Sequence, residues 1–219
     1  MQYAFDLSTD ERIEPFPGAR ALCPSCKADV IAKCGDINSW HWAHVSTDDC
    51  DTWSEGETLW HREWKEYFKP EECEVVMGNH RADIRTSAGR VIELQHSPIS
   101  TTEIEERERF YGRGIVWVVD ASGFIENMDF RKKVDHSTFR WKWPRKTWAS
   151  ASRPVYLDPG EESGWGQYIF RLNKMYGETP CGGWGKWGCK FDFLRYFGVC
   201  IPTPAERRAL LAQHYEGRV

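Results

Sequence analysis

Polar and apolar residues alternate along Arg81-Ala82-Asp83-Ile84-Arg85 and again along Ile92-Glu93-Leu94-Gln95. Ser87-Ala88-Gly89 separates the runs, with glycine where a three-residue hairpin loop takes a left-handed residue, so the pattern predicts an antiparallel hairpin. A turn centred on Ala88 sets Asp83 opposite Glu93. Period-2 alternation then brings Gln95 to the same face and turns Ile84, Ile92 and Leu94 to the other. Before the hairpin, Leu59, Trp60, Trp64, Tyr67 and Phe68 supply helical packing positions and Pro70 ends the run. They predict a helix from Ser54, with Glu57, His61 and Lys65 sharing a face at i, i+4 and i+8. Cys73 to Met77 reads as a first strand. Beyond the hairpin, Ser100-Thr101-Thr102-Glu103 is a capping box that opens a helix through Arg107 and Arg109 to Tyr111, and Ile115 to Val119 reads as a buried strand. The expected order is helix, three strands, helix, strand, a mixed α/β core over residues 54–130.

The flanks read differently. Val30 to Lys33 and Gly35-Asp36 suggest a strand and turn of a small ribbon-like unit within residues 1–53. After residue 130 an extension, 131–219, contains the glycine-rich run Cys181 to Cys189, which predicts a loop and lacks the Gly-Lys-Ser/Thr ending of a phosphate-binding loop. Thr203-Pro204-Ala205-Glu206 is a second capping box, opening a last helix to about Tyr215.

At 219 residues, 41% hydrophobic and 28% charged, the chain can build one substantial domain with small modules. It has no long apolar run and no signal-peptide pattern, which points to the cytoplasm and no membrane. The eight cysteines are then expected as thiols or metal ligands. A net charge of -4 confines any nucleic-acid contact to a local patch.

Three constellations carry chemistry. Cys23-Pro24-Ser25-Cys26 followed by His41-Trp42-Ala43-His44 has zinc-ligand spacing, and structural zinc would supply folding energy that so small a unit lacks. Cys23, Cys26 and His44 lead that set, His41 competes with Cys50 for the fourth place, and Cys34 reads as a small buried hydrophobe. Asp83 opposite Glu93 is a like-charge cross-strand pair. It is either two ordinary acids on a solvated face or oxygen ligands for a hard divalent cation such as Mg²⁺ or Mn²⁺, and a bulge would slip the register by one residue. Finally, Arg131, Lys132, Lys133, Arg140, Lys142, Arg145 and Lys146 set seven positive charges against one acid, Asp135, with Phe139, Trp141, Trp143 and Trp148 interleaved. That reads as a nucleic-acid surface, with a basic exposed loop over buried rings as the alternative.

The CxxC and HxxH segments, the Glu57 to His61 helix start, Arg81-Ala82-Asp83 and Ile92-Glu93-Leu94-Gln95 together resemble the CoiA-like competence-protein family, over roughly Leu22 to Val119. The resemblance implies a PD-(D/E)XK, restriction-endonuclease-like core behind a zinc-binding module, and metal-dependent hydrolysis of DNA. Asp83 and Glu93, with Glu57, would hold Mg²⁺ or Mn²⁺, and Gln95 would orient the attacking water. Gln95 stands where that superfamily usually has lysine. Its amide cannot stabilise negative charge as an ammonium does, and Lys65 is the residue placed to supply the missing charge. His80 and His96 flank the acids as packing or phosphate contacts. The competing expectation is a DNA-binding protein that kept the fold without turnover.

Overall fold

The computed structural model describes residues 1–35, 39–46, 50–53, 56–160, 166–177 and 181–201. Ser54, Asp36 and the expected helix from Thr203 to Tyr215 lie outside the described residues.

Five short strands, β1 (Ala4–Asp6), β2 (Arg12–Ile13), β3 (Arg20–Leu22), β4 (Asp29–Lys33) and β5 (His41–His44), form an antiparallel sheet in the order β2-β1-β3-β4-β5. Its core is little more than Ala4, Ala21, Cys23, Val30 and Trp42.

The rest of the described residues build one nine-stranded sheet. The expected order appears: α1 (Leu59–Lys65), strands β6 (Cys73–Met77), β7 (His80–Arg85) and β8 (Val91–Gln95), α2 (Thr101–Tyr111), then β9 (Ile115–Asp120). Ser100 caps α2 by accepting from the Glu103 N–H. Gly89 takes φ +76°, and Ile84 pairs with Ile92 and Arg85 with Val91, the register that a turn at Ala88 predicts. β6, β7 and β8 are antiparallel, whereas β8 and β9 are parallel, joined by α2.

Strict alternation fails within the hairpin at β7, as it does on a later strand, where the register shifts between Leu172 and Lys174. Ala82 packs with Val91 and Trp117 on the α2 side, yet Ile84 packs with Ile92 and Trp64 on the α1 side, so β7 turns over at Asp83. There the ladder to β8 stops, and the Leu94 N–H is taken instead by Asp83 Oδ2 at 2.9 Å.

The extension after residue 130 belongs to the same sheet. Strands β10 (Met128–Lys132), β11 (Ser137–Trp141), β12 (Val155–Asp158), β13 (Tyr168–Tyr176) and β14 (Gly182–Cys189) give the order β10-β11-β14-β13-β12-β9-β8-β7-β6, with α3 (Lys190–Tyr196) behind. The glycine-rich run expected as a loop is therefore strand β14. A Cβ at Gly183 would meet Lys174 O at 1.9 Å and Phe139 Cζ at 2.8 Å, so the glycines let neighbouring rings close over the strand. No helix among the described residues is long and apolar enough to cross a membrane.

Candidate functional site

The zinc-type cluster forms between the β3–β4 turn and the end of β5. The ligand atoms of Cys23, Cys26, His44 and Cys50 all lie within 4.8 Å of one another, with Cys23 Sγ 3.7 Å from Cys50 Sγ and Cys26 Sγ 3.3 Å from His44 Nε2. Three thiols and one imidazole at this separation fit a tetrahedral structural zinc. Burial works against ionising Cys23, but backbone N–H groups of Cys26 and Ser25 outweigh it and lower the thiol's pKa, while burial keeps His44 neutral, as a ligand must be. His41 is not in the group. On β5, positions 41 and 44 have opposite parity, so when His44 faces the cysteines His41 faces away, its Nδ1 on Ser39 O at 2.8 Å. Cys50 takes its place. Cys34 is half-exposed, not the buried hydrophobe expected.

The second constellation is a buried ionic network. Glu74 falls between Cys73 and Val75, which pair with Ile84 and Ala82, so it stands beside Asp83; Glu93 stands on Asp83's other side. Glu57, Glu74, Asp83 and Glu93 line an enclosed cavity of about 20 Å³ with Trp53, His61, Arg81 and Arg107, space for roughly one water or ion. Glu57 precedes the helix, which begins only after the Thr58 cap, but Lys65 still reaches it. Lys65 Nζ donates to Glu57 at 3.0 Å and to Glu74 at 2.9 Å. From α2, Arg107 Nη1 donates to Glu93 Oε2 at 2.9 Å, and its Nη2 to Trp53 O and Glu103. Gln95, buried on the same strand as Glu93, does not line the cavity, and its Nε2 donates to Ser97 O at 3.0 Å. Sequence reading missed Glu74, Arg81 and Arg107. Only an acid inside an otherwise apolar first strand hinted at Glu74.

Electrostatics divide the acids. Burial would raise Glu74, but Lys65 and then Arg81 hold it well below the carboxylate range, and its oxygens also accept from the Gln2 and Tyr3 N–H groups. Glu74 takes φ +49°, an unusual backbone for a non-glycine, and these fixed bonds offset the strain. Burial opposes the Lys65 ammonium, yet Glu74 and Glu57 prevail and raise its pKa. Glu93 goes the other way. Burial first, and Asp83 second, push it up to about 8 against the pull of Arg107. Its Oε1 is buried with no hydrogen-bond partner among the described residues.

The histidines are held in place. His80 Nδ1 donates to Asp51 Oδ1 at 2.9 Å and its ring stacks on Trp53 at 3.2 Å, while His96 Nδ1 donates to Asp120 Oδ2 at 2.7 Å. His61 lines the cavity, between Thr58 Oγ1 and Leu94 O.

The seven cations of the basic segment are not one patch. Arg131 and Lys132 end β10, Arg140 lies on β11, Lys133 in the hairpin loop between them, and Lys142 and Lys146 beyond, all exposed; Arg145 donates to His96 O and covers Phe124. Of the interleaved rings, Phe139, Trp141 and Trp148 are core. Trp143 alone of the four is exposed, at 65%, under the Lys142 ammonium.

Residues 17–52 match the family model of the N-terminal domain of competence protein CoiA. The CoiA N-terminal match covers β3, β4 and β5 and contains all four members of the Cys–His cluster. No curated protein and no solved structure matches the chain.

Proposed function

We propose that the chain is a metal-dependent nuclease acting on DNA in a competence-related setting. The observation that carries this reading is the row Glu74, Asp83, Glu93 across three adjacent strands, closing on a cavity of ion size beside Glu57. The unpartnered Glu93 Oε1 is free to act as an oxygen ligand, and Asp83, Glu93 and Glu57 are the residues that would hold Mg²⁺ or Mn²⁺. Such an ion, when bound, lowers the pKa of a water and stabilises the leaving oxygen. The chain's own part is positional. Lys65, anchored by Glu57 and Glu74, brings a permanent ammonium to the acids, the charge that Gln95 cannot supply. Arg107 ties Glu93 to α2 and would yield that carboxylate as the site fills. The αβββαβ order and the CoiA N-terminal match support the reading further.

Asp83→Asn should abolish both divalent-cation binding and cleavage of labelled DNA with Mn²⁺ or Mg²⁺, without unfolding the chain. Cleavage by Asp83→Asn protein at the wild-type rate, free of contaminating nuclease, would falsify the assignment.

One observation favours a second reading, a DNA-binding protein without turnover: Lys65, Arg81 and Arg107 already neutralise most of the acid row. Binding without cleavage under every metal and substrate tried would select it.

A further inference from the structure

At the far end of the large sheet, β10, β11, β14 and β13 turn one face to an aromatic core and the other to solvent, except at the start of β13, where Ile169 packs against α3. Phe130, Phe139, Phe170 and Met175 belong to the core side. Their neighbours in sequence, Arg131, Arg140, Arg171 and Lys174, are exposed, as is Lys186 on β14. Register joins them. Arg171 is directly opposite Lys186, Lys174 opposite Trp184, Trp184 opposite Thr138, and Thr138 opposite Arg131. Five cations from four strands thus share one sheet face, at spacings of about 5 Å between strands and about 7 Å along them. Only Arg131 and Arg140 come from the basic stretch conspicuous in the sequence.

Among the described residues, two acids adjoin this face. Asp129 lies opposite Arg140, and Asp135, bonded to His136, feels the charge of Lys186. None of the five cations makes an ion pair among the described residues. Arg171 against Lys186 is a like-charge pair that repels unless an anion lies over it. Half-buried among these cations is the Trp184 ring, met at its side by His136 with centroids 5.6 Å apart.

We propose that this sheet face binds single-stranded nucleic acid, its phosphates along Arg131, Lys174, Arg171 and Lys186 and an unpaired base on Trp184. Cations alone would hold either strand form. An indole set into a flat sheet surface reaches only a base that has left its stack, which selects the single strand. The inference rests on the nucleic-acid reading above but not on turnover, since none of these residues lines the acid cavity.

The test uses the full chain carrying Asp83→Asn, so that nothing is cut, with fluorescently labelled oligo-dT and a duplex of equal length in anisotropy titrations across salt. Arg171→Gln, Lys174→Gln and Lys186→Gln together should reduce the log–log salt slope for the single strand by about 2, since each lost phosphate contact removes about 0.7. Arg171→Lys with Lys186→Arg keeps the charge and should keep the slope. Trp184→Ala should weaken single-strand binding about ten-fold or more, with Trp184→Phe largely restoring it. Unchanged slope in the triple variant, duplex bound as tightly as single strand, or binding of phosphatidylserine vesicles in place of DNA would each overturn the proposal. Binding without any cleavage by the unsubstituted chain defeats the nuclease reading alone; cleavage with the triple variant binding normally defeats this one alone.

Discussion

Glu93 shows what a single residue costs this fold. Its carboxyl, ordinarily near 4.5, is pushed up to about 8 by burial and by Asp83. Between those two values the unfolded chain has released the proton and the folded chain has kept it, so this residue makes stability fall as pH rises, with no further loss above about 8. Glu74 has the opposite sign: its pKa is depressed, so its contribution is intact throughout that window and is lost only in acid. Urea unfolding across the window should therefore show a decline that Glu93→Gln flattens, and parallel curves for the two proteins would reject the account. At the cysteine cluster the discriminating pair is Cys50→Ser, expected to lose the metal and destabilise the N-terminal sheet, and His41→Ala, expected to keep about one zinc per chain by elemental analysis. The choice between those two ligands was readable in principle. Once residues 41–44 form a strand, HxxH spacing cannot aim both imidazoles at one point. Arg107 could not be found this way, because its partner Glu93 is decided by how α2 lies on the sheet.

At the level of elements, the hairpin was legible because two local signals agree, a glycine suited to φ +76° and period-2 alternation, and a register needs nothing more. Strand β14 was not. Glycine density argues for a loop, and only the rings of Phe139 and Phe170, brought from other strands, make the absence of side chains an advantage. Two substitutions separate the explanations. Gly183→Ala drives a Cβ into the Lys174 carbonyl and should cost roughly 3 kcal/mol. Gly188→Ala, with nothing within 4 Å, should stay within about 0.5 kcal/mol. Equal losses at both sites in chemical denaturation would mean that glycine matters here for some reason other than close approach. The turnover of β7 at Asp83 was hidden for a related reason, because an alternating pattern carries no mark of the place where alternation stops.

For the whole molecule, the boundary expected at residue 130 falls inside one continuous sheet, because β12 adds in parallel to β9 and β13, β14, β11 and β10 follow beyond it. Asp158 at the end of β12 accepts from the indoles of Trp60 and Trp64 at 2.9 and 2.6 Å and from Lys190 at 3.2 Å, so α1 and α3 are fastened to the same strand end. Helix α1 holds Lys65, and the later strands therefore help to set the acid cavity without lining it.

One small tether links the N-terminal cluster to that cavity. Cys50 is followed at once by Asp51, whose carboxylate accepts from His80 Nδ1 and, at 2.8 Å, from the Arg81 backbone N–H; two residues on, Trp53 stacks on His80 and accepts from Arg107. The Arg81 amide thus owes its shelter to a residue adjoining a cysteine of the cluster, one whose thiol burial pushes up to about 12. Removing the metal with a chelator should speed hydrogen exchange at Arg81, while amides of β9 keep their protection. Unchanged exchange there would show the tether to be slack. If exchange does quicken, the Arg81 amide is a gauge of occupancy for a cluster in which zinc, once bound, would itself be spectroscopically silent.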